Sequence, residues 1–380
     1  MKTAERMKYF TNAALTKTGG GLPEGAIDFT LGSPDIPPER AIIDEIQYQA
    51  GVARNYKYAV KPLPELLKAI RDWYHDRYHV SLDDDEICLL QGSQEALVNL
   101  PLVFCDPGDG VLIPDPYYPA YDQAPHLAGA EVLYMPLKQE NDFLIDLDAI
   151  SEEDRRKAKL MIVSYPNNPT GAVAPDWFYE KLVKFAKEND ILIVHDNAYS
   201  ELVFNEREGK SFLSFDGAMD VGVELNSFSK TYGMAGARLG VLCGNRGAVA
   251  AFRQLKSNLD YGIFLPVQYG GVKALRQGGS SIRPTRDAYS HRQQLAAKLF
   301  SEAGWPMDPS PATMFLWPRV PHGYDSEGFA QELAKREDIY VTPGTAFGPA
   351  GEGHVRIALV HDDDVICEAA KRIRHFFSGK

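Results

Sequence analysis

A single lysine stands among hydroxyl side chains and glycines in the stretch Leu225-Asn226-Ser227-Phe228-Ser229-Lys230-Thr231-Tyr232-Gly233-Met234-Ala235-Gly236-Ala237-Arg238-Leu239-Gly240. An apolar run ends at Ser227, and Arg238 follows Lys230 eight residues later. A lysine that enters a protein interior needs a partner or a chemical role for its amine. These neighbours favour an imine between Lys230 and an aldehyde cofactor, whose phosphate the hydroxyls and Arg238 would hold. The alternative is a solvated loop lysine, and the rest of the chain decides between the two.

Size, charge and hydropathy restrict the classes of function. The chain has 380 residues, of which 44% are hydrophobic, so it can bury a large core and form two domains. Its formal net charge is −12, and it has no lysine- or arginine-rich tract, which argues against nucleic acid and anionic membrane surfaces as partners. No apolar stretch approaches the roughly 20 residues of a membrane helix, so we expect no membrane association.

The cysteines and the first residues indicate the compartment. The four cysteines lie far apart and form no C-x-x-C pair: Cys88, Cys105, Cys243 and Cys367. Three of them have apolar neighbours, which is typical of buried thiols in a reducing compartment. The first ten residues carry charge but no apolar run, which is unlike a secretory signal. We therefore expect a soluble, cytoplasmic protein.

Short apolar runs alternate with amphipathic segments through the middle of the chain. The predicted strands cover residues 87–90, 111–114, 131–135, 159–164, 191–195, 221–228 and 239–243. The predicted helices cover residues 63–79, 93–104, 118–128, 146–156, 175–189, 246–258 and 265–277. This alternation predicts an α/β fold with a mostly parallel sheet covered by helices on both faces. Ligands of such sheets bind at the carboxyl ends of the strands.

Both ends of the chain depart from this alternation. Residues 1–45 are rich in glycine, proline and threonine and predict an extended arm with loops. Beyond Gly278-Gly279-Ser280, the pattern predicts a smaller α+β domain, with helices at 283–303, 326–336 and from 362, and strands at 314–320, 339–342 and 354–360. The predicted organisation is an arm (1–45) that shares the core of the small domain, a large domain (46–277) and a small domain (278–380).

Three loops that follow predicted strands carry side chains suited to a site. Gly92-Ser93-Gln94 opens a helix, where free backbone N–H groups and the hydroxyl of Ser93 could bind an anion; a plain helix cap is the alternative. The proline-fixed loop 114–121 includes Tyr118, an aromatic that could lie against a planar ring, although aromatic clusters are more often simple packing. Tyr165-Pro166-Asn167-Asn168-Pro169-Thr170-Gly171 is a stiff turn that would present an amide.

Two charged side chains lie within apolar strands. Asp196 ends one of them, and a buried carboxylate is costly unless it meets a cation or hydrogen bonds. A protonated pyridine nitrogen would suit it, with Tyr199 donating to a phenolate oxygen nearby; a helix-capping role is the alternative. Arg356 lies among apolar residues at 353–359, and its planar fork suits a substrate carboxylate, with an internal salt bridge as the alternative.

A metal ion is a second kind of ligand to consider besides the aldehyde cofactor. His75 and His79 stand four residues apart in a predicted helix, a spacing that suits a metal on one helix face. The sequence shows no third ligand near them, so we expect no metal site.

This ordered set of motifs resembles the class I and II aminotransferases of the aspartate aminotransferase superfamily, which are pyridoxal-phosphate enzymes of fold type I. The likeness covers nearly the whole chain and is strongest to the branch that contains the LL-diaminopimelate aminotransferases. The branch assignment depends on residues 195–202, 227–230 and 341–344. One departure lies at 61–66, where the family's usual glycine before Pro-Glu-Leu is absent.

The resemblance implies a role for each residue that the cofactor ring would meet. Lys230 would form the imine with pyridoxal 5′-phosphate and then move the substrate's α-proton. Asp196 would keep the pyridine nitrogen protonated, and Tyr199 and Asn168 would hydrogen-bond the ring's 3′-oxygen. Tyr118 would stack on the ring.

The resemblance also implies how phosphate and substrate would be held. The residues that match the phosphate cup are Ser93, Gln94, Ser227, Ser229 and Arg238. The substrate-binding residues would be Arg356, which takes the α-carboxylate, with Gly32 and Asn168 beside it. Tyr58 would reach the phosphate of a neighbouring subunit, which implies a homodimer.

The implied activity moves an amino group from an L-amino acid to a 2-oxo acid. The competing enzyme hypothesis is a C–S β-lyase on the same scaffold, acting on cystathionine or cysteine. A cofactor-binding transcription regulator is the hypothesis from another class, but no basic helix-turn-helix segment precedes the arm. Because no residue can be matched to a substrate's side-chain carboxylate, the sequence leaves the amino donor open, LL-diaminopimelate included.

Overall fold

A seven-stranded sheet lies at the centre of the protein and carries helices on both faces. The computed structural model describes residues 2–10, 21–204 and 208–379. In chain order, the strands of this sheet and of two smaller ones are β1 (Ile27–Asp28), β2 (Ile87–Leu90), β3 (Gly110–Asp115), β4 (Glu131–Pro136), β5 (Ala158–Val163), β6 (Leu192–Asp196), β7 (Gly222–Ser227), β8 (Gly240–Gly244), β9 (Phe315–Leu316), β10 (Ile339–Tyr340), β11 (Thr342–Pro343) and β12 (Val355–Ala358).

The central sheet has the strand order β2-β8-β7-β6-β5-β3-β4. Neighbouring strands from β4 to β7 are parallel, whereas β8 runs antiparallel to both β2 and β7. Alternate residues of a strand enter two different cores; in β5, Leu160 and Ile162 pack in one core, and Met161 and Val163 pack in the other. Both faces are thus buried, which is why these strands are continuous apolar runs. The predicted α/β class, with a mostly parallel sheet, is confirmed.

Helices cover both faces of this sheet. In chain order they are α1 (Arg40–Ala50), α2 (Pro64–Tyr78), α3 (Gln94–Phe104), α4 (Pro119–Gln123), α5 (Pro125–Ala128), α6 (Glu152–Lys157), α7 (Asp176–Asn189), α8 (Ala218–Val221), α9 (Phe228–Thr231), α10 (Arg246–Lys256), α11 (Leu265–Gln277), α12 (Gly279–Glu302), α13 (Ser326–Glu337) and α14 (Asp363–Ser378). Helices α2, α7 and α11 pack on one face, and α3 and α10 pack on the other. None of the described helices combines the length and the apolar character that a membrane span requires.

Helix α1 corrects the expectation that residues 1–45 are extended throughout. It begins at Arg40, and Ile42 on its first turn is fully buried. Pro37 and Pro38 disfavour helix in the segment before it. Beyond them, Ile42 and Ile46 lie four residues apart and pack on the same core. Residues 11–20 of the predicted arm lie outside the described residues.

Three predicted helices are interrupted or have different ends from those that the periodicity suggests. The segment predicted at 118–128 divides into α4 and α5, because Pro125 starts a new helix. The segment predicted at 146–156 forms a 3-10 turn at Leu147–Ala149 and then α6, where Ser151 accepts a hydrogen bond from the backbone N–H of Asp154 at 3.0 Å. Helix α2 ends at Tyr78, and His79 follows with a left-handed φ of 58°, so His75 and His79 do not share a helix face.

The C-terminal part of the chain packs against the segment near the N-terminus. Strand β1 pairs in parallel with β10, and β11-β12-β9 form an antiparallel sheet. Ile27 and Phe29 share one core with Phe300 and Trp305. The predicted strand at 314–320 is reduced to β9, and the predicted strand at 339–342 divides into β10 and β11. The domain boundaries after residues 45 and 277 stay predictions.

Candidate active site

One cavity of about 570 Å³ lies at the carboxyl ends of the parallel strands. Every predicted site residue except Tyr58 lines it: Gly32, Ser93, Gln94, Tyr118, Asn168, Asp196, Tyr199, Ser227, Ser229, Lys230, Arg238 and Arg356. Asp196 ends β6 and Ser227 ends β7, so the edge of the sheet brings together loops that are distant in sequence. Two other clefts, of about 740 and 1210 Å³, have none of these residues in their described linings.

A one-turn helix, α9, presents Lys230 to the cavity. The side-chain oxygen of Ser227 accepts a hydrogen bond from the backbone N–H of Ser229 at 3.2 Å, which caps this turn. The Nζ of Lys230 donates to the carbonyl oxygen of Gly32 at 2.5 Å. It also lies 5.9 Å from the centre of the Tyr199 ring. The side chain of Lys230 therefore lines the cavity and is not a solvated loop lysine.

The surroundings of Lys230 favour its neutral amine. Burial, followed by the guanidinium groups of Arg356 and Arg238, lowers the pKa of Lys230 to about 8, against the opposing charge of Asp196. An ordinary lysine titrates near 10.4. The free base that attacks an aldehyde or takes a proton is thus far more available here.

Asp196 is a buried carboxylate at the end of β6. The hydroxyl of Tyr121 donates to Oδ2 at 2.6 Å, and the N–H of Ala198 donates to Oδ1 at 3.3 Å. Burial raises the pKa of Asp196, while these two hydrogen bonds oppose the rise. The preceding residue, His195, points to the other face of the sheet, where its Nδ1 lies 2.9 Å from a carboxylate oxygen of Glu224. In the described part of the chain, no cation forms a salt bridge with Asp196.

Arg356 lies on β12 and is only 8% exposed. Its guanidinium carbon is 4.4 Å from the ring centre of Phe315 and 4.6 Å from that of Phe347. Nη1 donates to Oδ1 of Asn168 at 3.1 Å, and Nη2 donates to the carbonyl oxygen of Thr30 at 2.8 Å. Within the described ranges, its buried Nε has no hydrogen-bond partner and no carboxylate pairs with it. The internal salt bridge that competed with substrate binding is therefore not found.

The electrostatics of Arg356 match an anionic ligand. Burial lowers the pKa of Arg356 to about 10, so the guanidinium still carries its charge at neutral pH. A buried cation without a counter-ion is costly. A carboxylate that entered the cavity would supply both the missing charge and an acceptor for Nε.

Arg238 closes another side of the cavity. Its φ of 54° is left-handed, which costs a residue with a side chain about 1–2 kcal/mol. Nη1 donates to the carbonyl oxygen of Ala235 at 2.9 Å, and Nη2 donates to that of Gln91 at 3.3 Å. Gly92, with a φ of 77°, lets the guanidinium pass, because a Cβ there would clash with it. Ser93 immediately precedes α3, and in the described structure its hydroxyl makes no capping hydrogen bond. That hydroxyl remains available to an anion.

Two of the three predicted tyrosines, Tyr118 and Tyr58, lie in different places. Tyr118 borders the cavity, and its hydroxyl donates to Oε1 of Gln94 at 3.2 Å. Tyr58 lies away from the cavity of its own chain, is 76% exposed, and packs on Tyr261 with 4.9 Å between ring centres. A single chain therefore does not bring Tyr58 into the site.

The site includes three aromatic residues that the sequence did not identify. Tyr121 contacts Asp196, and Phe315 and Phe347 enclose Arg356. Tyr121 lies in the same proline-rich loop as Tyr118, which is a signal that could have pointed to it. Neither phenylalanine lies in a motif, so only the folded chain identifies them.

Comparison with known proteins assigns the family. Residues 24–373 match the family described as aminotransferase class I and II. The chain belongs to this family, and it is an enzyme, a class I/II transaminase. The resemblance that the motifs indicated is confirmed.

Individual relatives and solved structures are similar to this chain over most of its length. The chain is 40% identical over 351 residues to the LL-diaminopimelate aminotransferase of Halothermothrix orenii, an alignment that covers 92% of this chain and 90% of the relative. An aminotransferase structure from Staphylococcus aureus superposes with a TM-score of 0.92 at 31% identity, covering 98% of this chain and 99% of that chain. A probable N-succinyldiaminopimelate aminotransferase from Thermus thermophilus has a TM-score of 0.88 at 36% identity, covering 96% and 98%. The fold-type-I assignment is confirmed by these structures.

Proposed function

We propose that this aminotransferase uses pyridoxal 5′-phosphate, bound in the cavity at the sheet edge. One observation carries the proposal: a single cavity joins Lys230 with its lowered pKa, the buried carboxylate of Asp196, and Arg356 with a free Nε. An aldehyde, a protonated pyridine nitrogen and a substrate carboxylate are the three groups that would satisfy them. The residues present therefore fit this cofactor.

The remaining residues of the cavity supply the other contacts that the cofactor needs. The phosphate would be bound by Arg238 and by four other residues that line the same cavity, namely Ser93, Gln94, Ser227 and Ser229. Tyr199 and Asn168 would hydrogen-bond the 3′-oxygen of the ring. The ring of Tyr118 would lie against the pyridine ring.

The chemistry is divided between the cofactor and the chain. When bound, pyridoxal phosphate supplies an electron sink that stabilises negative charge on the substrate's α-carbon. Arg356 would hold the α-carboxylate, so that the Cα–H bond and not the bond to CO2 is the one that breaks. The Nζ of Lys230 would take the α-proton, and with a pKa of about 8 about a tenth of such amines are free bases at pH 7. The negative charge of Asp196 would hold the proton on the ring nitrogen of the bound cofactor.

We propose that the amino donor belongs to the LL-diaminopimelate class. The similarity to the Halothermothrix orenii enzyme over 92% of the chain supports this choice. The charged side chains in the described lining of the cavity are Asp196, Lys230, Arg238 and Arg356. Each already has a proposed partner on the cofactor or on the α-carbon group. The far end of the donor would thus meet neutral side chains of this chain or groups of a second subunit.

A half-reaction screen tests both proposals. Purified protein loaded with pyridoxal phosphate is mixed with single amino acids, and the loss of its yellow absorption band is followed without an oxo acid. We expect LL-diaminopimelate to react with the highest kcat/KM, ahead of N-succinyl-LL-diaminopimelate, aspartate and alanine. A faster reaction of another donor would overturn the substrate proposal. Release of pyruvate from cysteine without any acceptor would instead favour the C–S β-lyase.

We propose that two chains form a homodimer and that Tyr58 completes the site of the partner. Large aromatic side chains are exposed around Tyr58: Tyr48, Tyr56, Tyr261 and Phe264 are between 44% and 69% exposed. Tyr56 packs on Phe264, and Tyr58 packs on Tyr261, so residues 56–58 and 261–264 together present two exposed aromatic pairs. Exposed apolar patches of this kind mark protein contacts. A monomer mass in light scattering at working concentration would contradict the proposal.

We also propose that the enzyme works in the cytoplasm. All four cysteines are free, and three of them are buried. Free thiols are typical of a reducing compartment. Localisation of a tagged protein in its native cell tests this.

Replacing Arg356 by alanine should raise KM for the amino donor and lower kcat/KM by about 10²-fold or more, because a hydrogen-bonded charge pair is lost. Arg356→Lys should recover little, since an ammonium lacks the planar fork. Steady-state kinetics with the best donor measure the effect, and Arg319→Ala, a change at an exposed arginine outside the cavity, is the control. An unchanged kcat/KM would show that another residue binds the carboxylate.

Replacing Gly92 by alanine should weaken cofactor binding. The new Cβ would clash with the guanidinium of Arg238, and the left-handed φ adds about 1–2 kcal/mol of strain. We expect the Kd for pyridoxal phosphate, from titration of the apoenzyme, to rise about tenfold, the loss of one charged hydrogen bond. Gly236→Ala is the matched control, because no atom lies within 4 Å of a Cβ there. Equal affinities of both variants would separate Arg238 from the phosphate.

A further inference from the structure

Tyr121 makes the closest side-chain contact with Asp196 in the described structure. Its hydroxyl donates to Oδ2 at 2.6 Å, and the residue is 1% exposed. Tyr121 lies in α4, whereas Asp196 lies at the end of β6, so the hydrogen bond joins two separate elements. The hydroxyl therefore contacts the carboxylate that we propose as the partner of the ring nitrogen.

A buried carboxylate needs donors if it is to stay ionised. Burial raises the pKa of Asp196, and the hydroxyl of Tyr121 and the N–H of Ala198 counter that rise. The pKa of Tyr121 is itself raised well above its usual value, first by burial and then by Asp196, so its proton stays on the phenol oxygen at neutral pH. Of the two donors to Asp196, the phenol has the shorter distance, 2.6 Å against 3.3 Å. Hydrogen bonds to a charged acceptor are stronger than those between neutral groups.

The ring of Tyr121 has a second contact that must be separated from the hydroxyl. It packs edge-on against Tyr118, with 5.8 Å between ring centres and 76° between planes. Tyr118 in turn is tied to Gln94. Phenylalanine at 121 keeps this packing and removes only the donor, which makes the substitution a test of one oxygen atom.

We propose that Tyr121 is a positioning residue for the amino-transfer reaction: its hydroxyl orients the carboxylate of Asp196 and keeps it negative, so that this carboxylate can hold the protonated nitrogen of the bound pyridine ring. The proposal rests on the proposed cofactor. Tyr121 would contribute to the affinity for the cofactor and to the electron-withdrawing strength of its ring. It would have no role in binding the substrate's carboxylate, which is the role proposed for Arg356.

The dependence of kcat on pH distinguishes the proposed role of the hydroxyl from a packing role, because a change in packing alone would not shift its acid limb. The ionisable groups around Asp196 are Tyr118, Tyr121, His195, Tyr199 and Lys230. None of the tyrosines is expected to lose its proton near neutral pH, because burial raises the pKa of each. Without the hydroxyl of Tyr121, Asp196 takes up a proton at higher pH. The acid limb of kcat therefore moves to higher pH in Tyr121→Phe.

The experiment compares Tyr121→Phe with the wild type as holoenzymes. We expect the Kd for pyridoxal phosphate to rise about tenfold and kcat to fall about tenfold, the size of one hydrogen bond to a charged group, with KM for the amino donor within about twofold. Tyr179→Phe is the matched control. It removes a hydroxyl from another fully buried tyrosine, whose bond to the carbonyl oxygen of Tyr165 is long at 3.4 Å and which lies outside the cavity.

A double-mutant cycle keeps the test decisive if Tyr121→Phe lowers stability. In Asp196→Asn the charge is already gone, so adding Tyr121→Phe should change the Kd for the cofactor by less than about twofold if the two groups act as one unit. Equal losses in both backgrounds, or a wild-type Kd and acid limb in Tyr121→Phe, would overturn the proposal while leaving the aminotransferase assignment intact. A wild-type protein that binds no pyridoxal phosphate would overturn the cofactor proposal, and this one with it.

Discussion

We expect alanine in place of Lys230 to abolish covalent attachment of the cofactor and to lower turnover by more than about 10⁴-fold, because in the proposed function one amine supplies both the attachment and the proton transfer. The purified variant should lose the yellow absorption band of the wild type. After borohydride treatment, peptide mass analysis should find the reduced cofactor on the Lys230 peptide of the wild type only. Lys184→Ala, at an exposed position of α7, should keep the band and the activity. A band retained without Lys230 would assign the attachment to a different lysine.

The structure explains why Lys230, and not another inward-facing lysine, is expected to react. Lys256 is also shielded, but its Nζ lies 2.6 Å from carboxylate oxygens of both Glu95 and Asp260. Burial opposes its charge, yet these two partners outweigh burial and raise the pKa of Lys256. Lys230 has only a carbonyl acceptor. A buried lysine, Lys256, and a partly buried one, Lys230, thus acquire opposite chemistry from their neighbours.

The same contrast gives a pH dependence for cofactor loading. Because the pKa of Lys230 is lowered to about 8, the fraction of free amine rises as the pH passes through that value. We therefore expect the rate of recovery of the yellow band from apoenzyme to rise between mildly acidic and alkaline pH, with a midpoint near 8 rather than near the ordinary value of 10.4. The stopped-flow rate against pH measures it.

Sequence reasoning identifies the residues that lie at strand ends and fails where contacts depend on packing between distant segments. Asp196 and Lys230 could be placed because continuous apolar strands end beside them, and a parallel sheet brings such ends to one edge. Phe315 and Phe347 could not, since Phe315 meets Arg356 only after β9 and β12 pair, and Phe347 lies in the turn that follows β11, which pairs with β12.

Local chemistry also decided the helix ends. A period of 3.6 residues continues through 118–128, but the ring of Pro125 cannot continue a helix begun before it, so the segment forms two. In the arm, the abundance of glycine and proline concealed α1, which starts as soon as Pro38 is passed. The role proposed for Tyr58 needs a second chain, because its ring is exposed and does not line the cavity of its own chain.

Removing the charge of Asp196 should have opposite effects on activity and on stability. Asp196→Asn keeps one oxygen that can accept from Tyr121, so we expect the fold to survive, while the ring nitrogen of the proposed cofactor would lose its counter-charge. We expect kcat to fall by about 10³-fold, the upper part of the range for one lost preorganised electrostatic group, and Asp196→Ala to fall at least as far. The measurements are single-turnover rates with the best amino donor and circular dichroism of the purified variants.

The apoenzyme should become more stable in the same variant. Burial raises the folded-state pKa of Asp196 above its unfolded value, so stability from this group is present at low pH and is lost as the pH rises through the folded pKa. At neutral pH the ionised carboxylate is therefore a cost that asparagine removes, and the Tm of the apoenzyme should rise. Asp176→Asn, at an exposed position that pairs with Lys210, should change neither kcat nor, beyond the small value of a surface pair, the Tm. A drop in apoenzyme Tm together with normal turnover would mean that Asp196 is a structural carboxylate, whereas a rise in Tm with lost turnover is what a carboxylate kept for the cofactor requires.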